Sequence, residues 1–276
     1  MSLLKSSGVR HRRPQFHPLT VAGIQRLTDR AVAITFDIPE ELRDTFRFEP
    51  GQHLTLRAEI GGADVRRSYS ICMSRAQAAA THQLRIASNE VDGGAMSVWL
   101  NRDVAVGDRI AVLAPLGDFI CPTDDTERDI VAVAAGSGIT PVISLVRTLL
   151  EEEPGSQVTL IFGNRTPAST MFRDELEWLA ENCAARFDLI EVFSRDNSTS
   201  RDPLLTGRID GAKVRQILRR SGVAVSEVDQ WFLCGPTGLV DDVRVAVVAD
   251  GADPATVHHE EFFQDPVLLD SGVNQK

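Results

Sequence analysis

Cysteine is scarce in this chain, which has only four among its 276 residues. They are Cys72, Cys121, Cys183 and Cys234. No two lie within a few residues of each other, so the chain has neither the C-x-x-C pair of a zinc knuckle nor the cysteine spacing of a plant-type iron–sulfur site. The sequence therefore predicts four reduced thiols without a shared task, and no metal centre.

Positive charge and long apolar runs are also in short supply. The chain has 29 Lys and Arg against 39 Asp and Glu, a net charge of -10, whereas nucleic-acid-binding proteins usually carry the opposite sign. No apolar run approaches the ~20 residues that cross a bilayer, and the first residues lack the apolar segment of a signal peptide. These absences predict a cytoplasmic protein that binds neither nucleic acid nor membrane.

The first part of the chain contains short alternating runs separated by turn residues. Strands at roughly 10-residue spacing are typical of a small antiparallel barrel. The predicted strands are 31–36, 52–60, 65–73, 82–91 and 109–113. We therefore predict an all-β Greek-key antiparallel barrel over residues 16–122, preceded by a flexible arm at 1–15.

The pattern changes after residue 122. A continuous apolar run at 129–135 indicates a strand buried on both faces, and strands then alternate with apolar residues at helical spacing. The predicted strands are 129–135, 158–162, 189–193 and 230–234, and the predicted helices are 142–150, 171–182, 213–220 and 239–249. This alternation predicts an α/β doubly wound parallel sheet over 123–263, followed by a tail or linker at 264–276.

Three short segments have the composition of ligand-binding turns. The sequence G-S-G-I-T-P at 136–141 follows the first buried strand and opens a helix, where free N–H groups and the helix dipole favour a phosphate. Arg67 and Tyr69 lie on one face of a strand and offer a guanidinium for a phosphate and a ring for a flat heterocycle. Gly93 and Gly94 precede a short helix and form a second anion-binding turn. Taken alone, each segment is also compatible with a purely structural role.

Seven motifs together resemble one family. They are F-x-P-G-Q at 48–52, R-S-Y-S at 67–70, G-G-A-M-S at 93–97, G-S-G-I-T-P at 136–141, G-N-R at 163–165, C-G-P at 234–236 and H-x-E-x-F at 258–262. Their order is similar to that of the ferredoxin–NADP reductase superfamily, and in detail to reductase components of bacterial multicomponent oxygenases of the phenylacetyl-CoA epoxidase type. The resemblance implies a ferredoxin reductase-like fold, with an FAD-binding barrel before an NAD(P)-binding domain.

The resemblance also implies the flavin contacts. Arg67 would hold the flavin diphosphate, Tyr69 would lie against the isoalloxazine, and Ser70 would form a hydrogen bond at its N5 atom. The other implied contacts are Ser68, Gly93, Gly94, Ala95, Met96 and Ser97.

Nucleotide contacts are implied in the same way, with NADPH or NADH as the second ligand. The implied contacts are Gly136, Gly138, Thr140, Pro141, Asn164, Arg165, Arg195, Cys234, Gly235, Pro236 and Phe262. Arg165 follows the second strand of this domain, where the adenosine ribose is expected, and Arg173 and Arg195 lie at comparable strand ends or helix starts. An arginine at the ribose favours a 2′-phosphate. We therefore favour NADPH over NADH.

The catalytic candidates are Ser70, Cys234 and Glu260. Ser70 and Glu260 would support the proton at N5 of the flavin as a hydrogen-bonded relay, and Cys234 would end a strand beside the nicotinamide. Because cysteine is often a small core residue, a purely structural Cys234 stays an alternative. Of Phe262 and Phe263, one is expected in the core and the other over the flavin.

The resulting hypothesis is an enzyme that moves a hydride from NAD(P)H to FAD and passes electrons singly to a ferredoxin-like or oxygenase partner. The alternatives are a stand-alone flavin reductase or NAD(P)H oxidase, and a non-catalytic dinucleotide-sensing module. Many relatives of this type carry a C-terminal plant-type ferredoxin domain, for which these 276 residues hold no cysteine cluster. An acidic partner would require a local basic surface, with scattered, solvated arginines as the alternative. The candidate arginines are Arg12, Arg13, Arg47, Arg57, Arg66, Arg75 and Arg85.

Overall fold

The computed structural model describes residues 15–123, 126–196 and 202–262, and its first sheet has six antiparallel strands. They are β1 (Phe16–Thr28), β2 (Ala31–Asp37), β3 (His53–Ile60), β4 (Ala63–Ser70), β5 (Gln83–Asn89) and β6 (Arg109–Leu113). The strand order is β4-β3-β6-β1-β2-β5. The sheet curls until Ile71, just after β4, bridges Ile86 on β5. The predicted antiparallel barrel is confirmed.

Alternating side chains fill the barrel. On β3, Leu54 and Leu56 are fully buried, whereas Arg57 points outward and is exposed. Each such leucine stabilises the fold by about 1.5–3 kcal/mol through burial. Before β3, Gly51 has a φ of 96°, and a Cβ there would lie 1.8 Å from the carbonyl oxygen of Phe119. The glycine of F-x-P-G-Q is therefore required by backbone packing.

Two helices interrupt the barrel strands: α1 (Arg75–Thr81) and α2 (Ala95–Arg102). Helix α1 was not predicted from the sequence, and the strands predicted before and after it were too long. The helix begins because the hydroxyl of Ser74 accepts a hydrogen bond from the backbone N–H of Gln77 at 3.1 Å. It ends at His82, which adopts the left-handed conformation with a φ of 55°.

The second sheet has five parallel strands with helices between them. They are β7 (Asp129–Ala135), β8 (Gln157–Asn164), β9 (Phe187–Phe193), β10 (Gln230–Gly235) and β11 (Val257–Glu261), with α3 (Ile139–Glu152), α4 (Arg173–Asn182), α5 (Gly211–Ser221) and α6 (Thr237–Ala249). The predicted α/β doubly wound sheet is confirmed. Strand β11 was not predicted, because its sequence V-H-H-E-E has no apolar period.

The strand order of this sheet is β11-β10-β7-β8-β9, so the order in which the chain adds strands changes side at β7. The chain builds outward from β7 through β8 to β9, and it then returns to add β10 and β11 on the other side. Ligands of open parallel sheets bind at the carboxyl ends of the strands at such a reversal. Here Gly136 follows β7 and Gly235 ends β10.

Barrel and α/β domain share part of their apolar core. The ring of Phe119 meets Phe232 of β10 edge to face, with centroids 5.4 Å apart. The hydroxyl of Ser144 on α3 donates a hydrogen bond to the backbone carbonyl of Met73 at 2.7 Å. Buried Cys72 also belongs to the cluster that packs around α3. The two domains are thus held in contact by buried packing as well as by the chain.

Among the described residues, no helix is long and apolar enough to cross a membrane. The cytoplasmic location stays a prediction. The domain limits at 16–122 and 123–263 also stay predictions, with the first sheet ending at Leu113 and the second beginning at Asp129. The predicted tail at 264–276 lies outside the described residues, as does nearly all of the predicted arm at 1–15.

Candidate active site

A cleft of about 1810 Å³ lies between the barrel and the α/β domain. Strand β4, the start of α2 and the carboxyl ends of β7, β8, β10 and β11 all contribute to its walls. Seventeen of the predicted site residues line it: Arg67, Ser68, Tyr69, Ser70, Gly94, Ala95, Met96, Ser97, Gly136, Thr140, Asn164, Arg165, Arg195, Gly235, Pro236, Glu260 and Phe262. The structure therefore brings together residues from most of the sequence motifs.

Strand β4 forms the barrel wall of the cleft. Arg67 is exposed, Tyr69 is half-buried and Ser70 is buried at 3% exposure. Arg67 donates a hydrogen bond to the backbone carbonyl of Arg66 at 2.8 Å. Across the β3–β4 ladder, Ser70 is paired with His53, which also lines the cleft. This wall thus offers a guanidinium, an aromatic ring and a hydroxyl in sequence.

The N-terminus of α2 opens onto the same wall. No side chain caps this helix, whose N-cap residue is Gly94. The hydroxyl of Ser97 instead accepts a hydrogen bond from the N–H of Val91 and donates one to the carbonyl of Gly94. The first N–H groups of α2 therefore face the cleft without a side-chain acceptor, as an anion site requires.

A second uncapped helix start faces the cleft from the α/β domain. Helix α3 follows a 3-10 turn at Gly136–Gly138, and no side chain caps it. Gly136 has a φ of 54°, and a Cβ built on it would meet nothing within 4 Å. The space beside Gly136 is part of the cleft, so a ligand can approach the backbone there. Two helix starts without a side-chain cap, one from each domain, thus share one cleft.

Glu260 lies on β11 beside the end of β10. It pairs in register with Cys234, and its Oε2 atom is buried without a hydrogen-bond partner among the described residues. Burial raises the pKa of the Glu260 carboxyl to about 7. A group with this pKa can hold or release a proton near neutral pH.

Polar and basic groups surround the opposite end of the cleft. Asn164 ends β8, and its buried Nδ2 atom has no hydrogen-bond partner among the described residues. The arginines Arg165, Arg195 and Arg208 also line the cleft, and all three are exposed. A backbone hydrogen bond of 2.9 Å from the N–H of Arg195 to the carbonyl of Arg165 fixes the first two side by side.

Four predicted contacts do not line the cleft: Gly93, Gly138, Pro141 and Cys234. A Cβ on Gly138 would lie 2.2 Å from the carbonyl oxygen of Cys234, so this glycine is needed where α3 packs on β10. Pro141 is buried in α3, and Gly93 has a φ of 76° that shapes the turn before α2. These three residues have structural roles in the fold, and their predicted contact with a ligand stays a prediction.

Cys234 has a fully buried side chain within the core cluster around α3. Burial raises the pKa of its thiol well above the usual value, and the neighbouring Glu260 adds to this effect. The thiol is therefore protonated at neutral pH, and it lies behind the cleft wall. This position agrees with the alternative of a small core residue, and a catalytic role for Cys234 beside the nicotinamide stays a prediction.

Several residues that line the cleft were not predicted from the sequence, and His53 and Arg208 are two of those with a basic side chain. His53 begins β3 directly after the F-x-P-G-Q turn, and its pairing with Ser70 could have been found by aligning β3 with β4. Burial lowers the pKa of His53, so its imidazole tends to be neutral. Arg208 lies in a loop before α5, where no sequence motif marked it. Phe262 was predicted and packs at the edge of the core beside the cleft, while Phe263 lies outside the described residues.

Comparisons with known proteins agree with this geometry. Residues 18–120 match the family model of the oxidoreductase FAD-binding domain, and residues 132–245 match that of the oxidoreductase NAD-binding domain. One component of the 1,2-phenylacetyl-CoA epoxidase of Escherichia coli (strain K12) is 40% identical over 260 residues, which cover 94% of this chain and 71% of that protein. The ferredoxin reductase component of 3-ketosteroid-9-alpha-monooxygenase from Rhodococcus rhodochrous is 32% identical, with 88% of this chain and 64% of that protein covered.

Solved structures share the fold. The FAD/NAD-binding domain of nitric oxide dioxygenase from Vibrio cholerae has a TM-score of 0.73 at 25% identity, covering 90% of this chain and 99% of that one. A ferredoxin NADP+ reductase from Neisseria gonorrhoeae with bound FAD and NADP has a TM-score of 0.74 at 21% identity, with the same coverage of both chains. At that identity the second likeness concerns the fold alone.

Proposed function

Because this chain belongs to the ferredoxin–NADP reductase superfamily and is an NAD(P)H-dependent flavoprotein reductase, we propose that it supplies electrons to the oxygenase or ferredoxin partner of a multicomponent oxygenase. The two relatives described above are named as components of such systems. The observation that carries the proposal is the pair of uncapped helix starts, one from each domain, on a single cleft. Each of two dinucleotides that exchange electrons carries a diphosphate, and one such helix start in each domain suits one diphosphate.

The residues of the cleft fit FAD on the barrel side. The free N–H groups at the start of α2 and the Arg67 guanidinium suit a diphosphate. Tyr69 would lie against the isoalloxazine and Ser70 would hydrogen-bond at N5. Bound flavin supplies the chemistry that the chain lacks, because it accepts two electrons together and releases them singly.

The α/β side of the cleft fits the nicotinamide nucleotide. The space beside Gly136 would admit its diphosphate at the start of α3, with Thr140 in the first helical turn. Gly235 at the end of β10 would leave room for the nicotinamide beside the barrel wall. The chain's task would then be to orient the two rings against each other and to exclude water between them.

Glu260 is the proposed proton-holding residue of the site. Its carboxyl has a pKa of about 7 through burial, so it holds a proton in part of the molecules at neutral pH. Together with Ser70 it would accept the proton that leaves flavin N5 as electrons depart, and it would later release it to water. Cys234 would contribute to the site through its backbone and through its packing in the core.

Anaerobic titration with NAD(P)H tests the proposed function. We expect a purified yellow protein whose visible flavin absorbance bleaches on addition of nucleotide, and whose extracted flavin runs as FAD. Flavin that stays with the protein through gel filtration distinguishes this enzyme from one that uses flavin as a free substrate. A bound flavin that NADPH and NADH both fail to reduce would contradict the proposal and favour a sensing module.

NADPH is the expected nucleotide, because three exposed arginines surround the far end of the cleft. Arg165, Arg195 and Arg208 form no ion pair with a carboxylate of the described residues, so their charge is available to a 2′-phosphate. For Arg195→Ala we expect KM for NADPH to rise about 10- to 100-fold, the loss of one charge-assisted contact, while KM for NADH stays unchanged. Arg43→Ala, an exposed arginine of the barrel, is the control. A preference for NADH that Arg195→Ala leaves unaltered would refute the expectation.

The candidate docking surface for an acidic partner is smaller than the sequence suggested. Arg75 and Arg85 form ion pairs with Glu152 and Glu175 of the α/β domain, which removes them as docking candidates. Arg12 and Arg13 lie outside the described residues, and Arg47 pairs with a neighbouring aspartate. What is left is the outer face of β3 and β4.

On that face, Arg57 and Arg66 share one carboxylate, Asp64, so the three side chains keep one net positive charge. Both guanidinium groups also lie over the ring of Phe16. We expect the double variant Arg57→Glu, Arg66→Glu to reduce cytochrome c or ferredoxin about 10-fold more slowly, and the wild-type rate to fall as ionic strength passes ~0.1 M. Ferricyanide reduction should stay unchanged, as should both rates in Arg219→Glu. Salt-independent reduction of the protein acceptor would show that it docks elsewhere.

A further inference from the structure

A group of three charged side chains joins the two domains away from the cleft. We call Arg85, Arg147 and Glu175 the interdomain clamp. Arg85 lies on β5 of the barrel, Arg147 on α3, and Glu175 in the first turn of α4. None of the three lines the cleft, so the proposed chemistry leaves them without a task.

Arg85 makes the contacts that cross between the domains. Its guanidinium donates hydrogen bonds to both carboxylate oxygens of Glu175, at 2.9 and 2.8 Å. It also donates to the backbone carbonyl of Cys72 at 2.9 Å and lies over the ring of Phe172 at 5.4 Å from the centroid. A planar guanidinium with a bidentate carboxylate fixes orientation as well as distance.

Arg147 completes the clamp from within the α/β domain by donating to Glu175 at 2.6 Å. The side chains of Arg85 and Glu175 are only 13% and 20% exposed. The Nε atoms of both arginines are buried without a hydrogen-bond partner among the described residues. Buried ion pairs with unmet donors contribute little net stability, because desolvation offsets the attraction. The orientation that these contacts fix therefore explains the arrangement better than any stability that they contribute.

The clamp connects the two walls of the cleft. On the barrel side it binds the carbonyl of Cys72, two residues after the flavin-side Ser70. On the other side it binds α4, which begins two residues after the segment 165–171, and most residues of that segment line the nucleotide end of the cleft. Phe172, between that segment and α4, has a φ of 58°, which an L residue adopts at a cost. The contact between Arg85 and Glu175 thus links the position of the flavin wall to the position of the nucleotide wall.

The domains would stay docked without the clamp. The contact of Phe119 with Phe232 and the hydrogen bond from Ser144 to Met73 do not involve it. Removing the charge of Glu175 leaves Arg85 and Arg147 without their shared carboxylate, which costs stability. Because the other contacts remain, we expect each domain to stay folded and the relative placement of the domains to change.

We propose that Glu175 and Arg85 are positioning residues for hydride transfer: the clamp holds the nucleotide wall of the cleft at the distance from the flavin wall that the transfer requires. This inference rests on the proposed reductase function. A displacement of about 1 Å between reacting groups can lower a rate by up to about 100-fold.

The test compares Glu175→Gln with Glu177→Gln in the flavin-loaded full chain. Glu177 is the matched control, since it lies on the same helix and pairs with Arg173, but both side chains are about half exposed. Stopped-flow reduction by NADPH gives the limiting rate and the nucleotide Kd, and amide hydrogen exchange gives a readout independent of activity. For Glu175→Gln we expect a limiting rate lowered about 10- to 100-fold, a Kd within about threefold of wild type, and faster exchange confined to residues 70–73 and 171–176. Glu175→Asp should recover part of the rate.

Three outcomes would overturn the inference: an unchanged limiting rate in Glu175→Gln, a defect in Kd alone, or faster exchange throughout both domains, which would indicate a general structural role. Failure of the reductase function itself would be visible separately, because the wild-type flavin would then not be reduced at all.

Discussion

An Arg67→Ala protein should purify with most of its flavin missing while folding as the wild type does. Arg67 is exposed on β4 and lines the flavin side of the cleft, outside the barrel core. A charge-assisted hydrogen bond contributes about 1.5–3 kcal/mol, so flavin Kd should rise about 10- to 100-fold. The unfolding free energy of the flavin-free protein should change by less than about 0.5 kcal/mol, as for other surface sites.

Arg66→Ala is the matched control for this prediction. Arg66 is adjacent on the same strand, is also exposed, and forms an ion pair with Asp64 on the outer face. It should keep its flavin, because its side chain does not line the cleft. The measurements are the ratio of flavin to protein absorbance after gel filtration and the titration of the stripped proteins with FAD. Full flavin content in Arg67→Ala would refute the assignment of this arginine.

Glu260→Gln should slow turnover with one-electron acceptors by about 100-fold, the lower range for a positioned proton-transfer group. The amide keeps the size of the side chain but can neither take nor release a proton. The wild-type rate should depend on pH around the carboxyl pKa of about 7, and this dependence should be lost in the variant. A variant with an unchanged rate and pH profile would exclude Glu260 from proton handling.

The same substitution should stabilise the protein at alkaline pH. Since burial raises the folded-state pKa to about 7 from its usual value of 4.5, the folded chain retains a proton that the unfolded chain has released. Wild-type stability therefore falls as pH rises through that window, and the loss is complete above it. Relative to wild type, Glu260→Gln should gain about 3 kcal/mol of stability near pH 8, where the linkage loss is nearly complete, and less than about 1 kcal/mol near pH 5. Denaturant unfolding at both pH values measures this, with the exposed Glu59→Gln as the control.

Elements with strong apolar patterns could be predicted from the sequence. The limits of β6 and β7 agree with the predicted 109–113 and 129–135, because an uninterrupted or alternating apolar run is itself the strand signal. Helix α1 gave no such signal, since it has no buried residue and depends on the cap at Ser74. Strand β11 is polar, and only pairing with β10 makes it a strand. Tertiary pairing of this kind is not encoded in local periodicity.

The site could be predicted to the level of motifs, but not of individual contacts. Gly136 and Gly138 are two residues apart in one motif, yet only Gly136 borders open space, while Gly138 is pressed against β10. Which glycine meets a ligand depends on where the neighbouring strand lies. The same is true of Arg85, an outward barrel arginine by sequence, which the approach of α4 turns into a buried partner of Glu175.

The pairing of β1 with β6 has a consequence for how the chain reaches this structure. Phe16 pairs with Leu113, so the barrel cannot close until nearly all of its own sequence has left the ribosome, and antiparallel pairing over such a separation is slow to form. The cleft is completed later still, because Gly235 and Glu260 come from the last two strands. During refolding, flavin binding would follow the formation of the barrel, and reduction of the flavin by the nucleotide would follow the formation of the second domain. The absorbance of the flavin would thus report on two successive stages of folding.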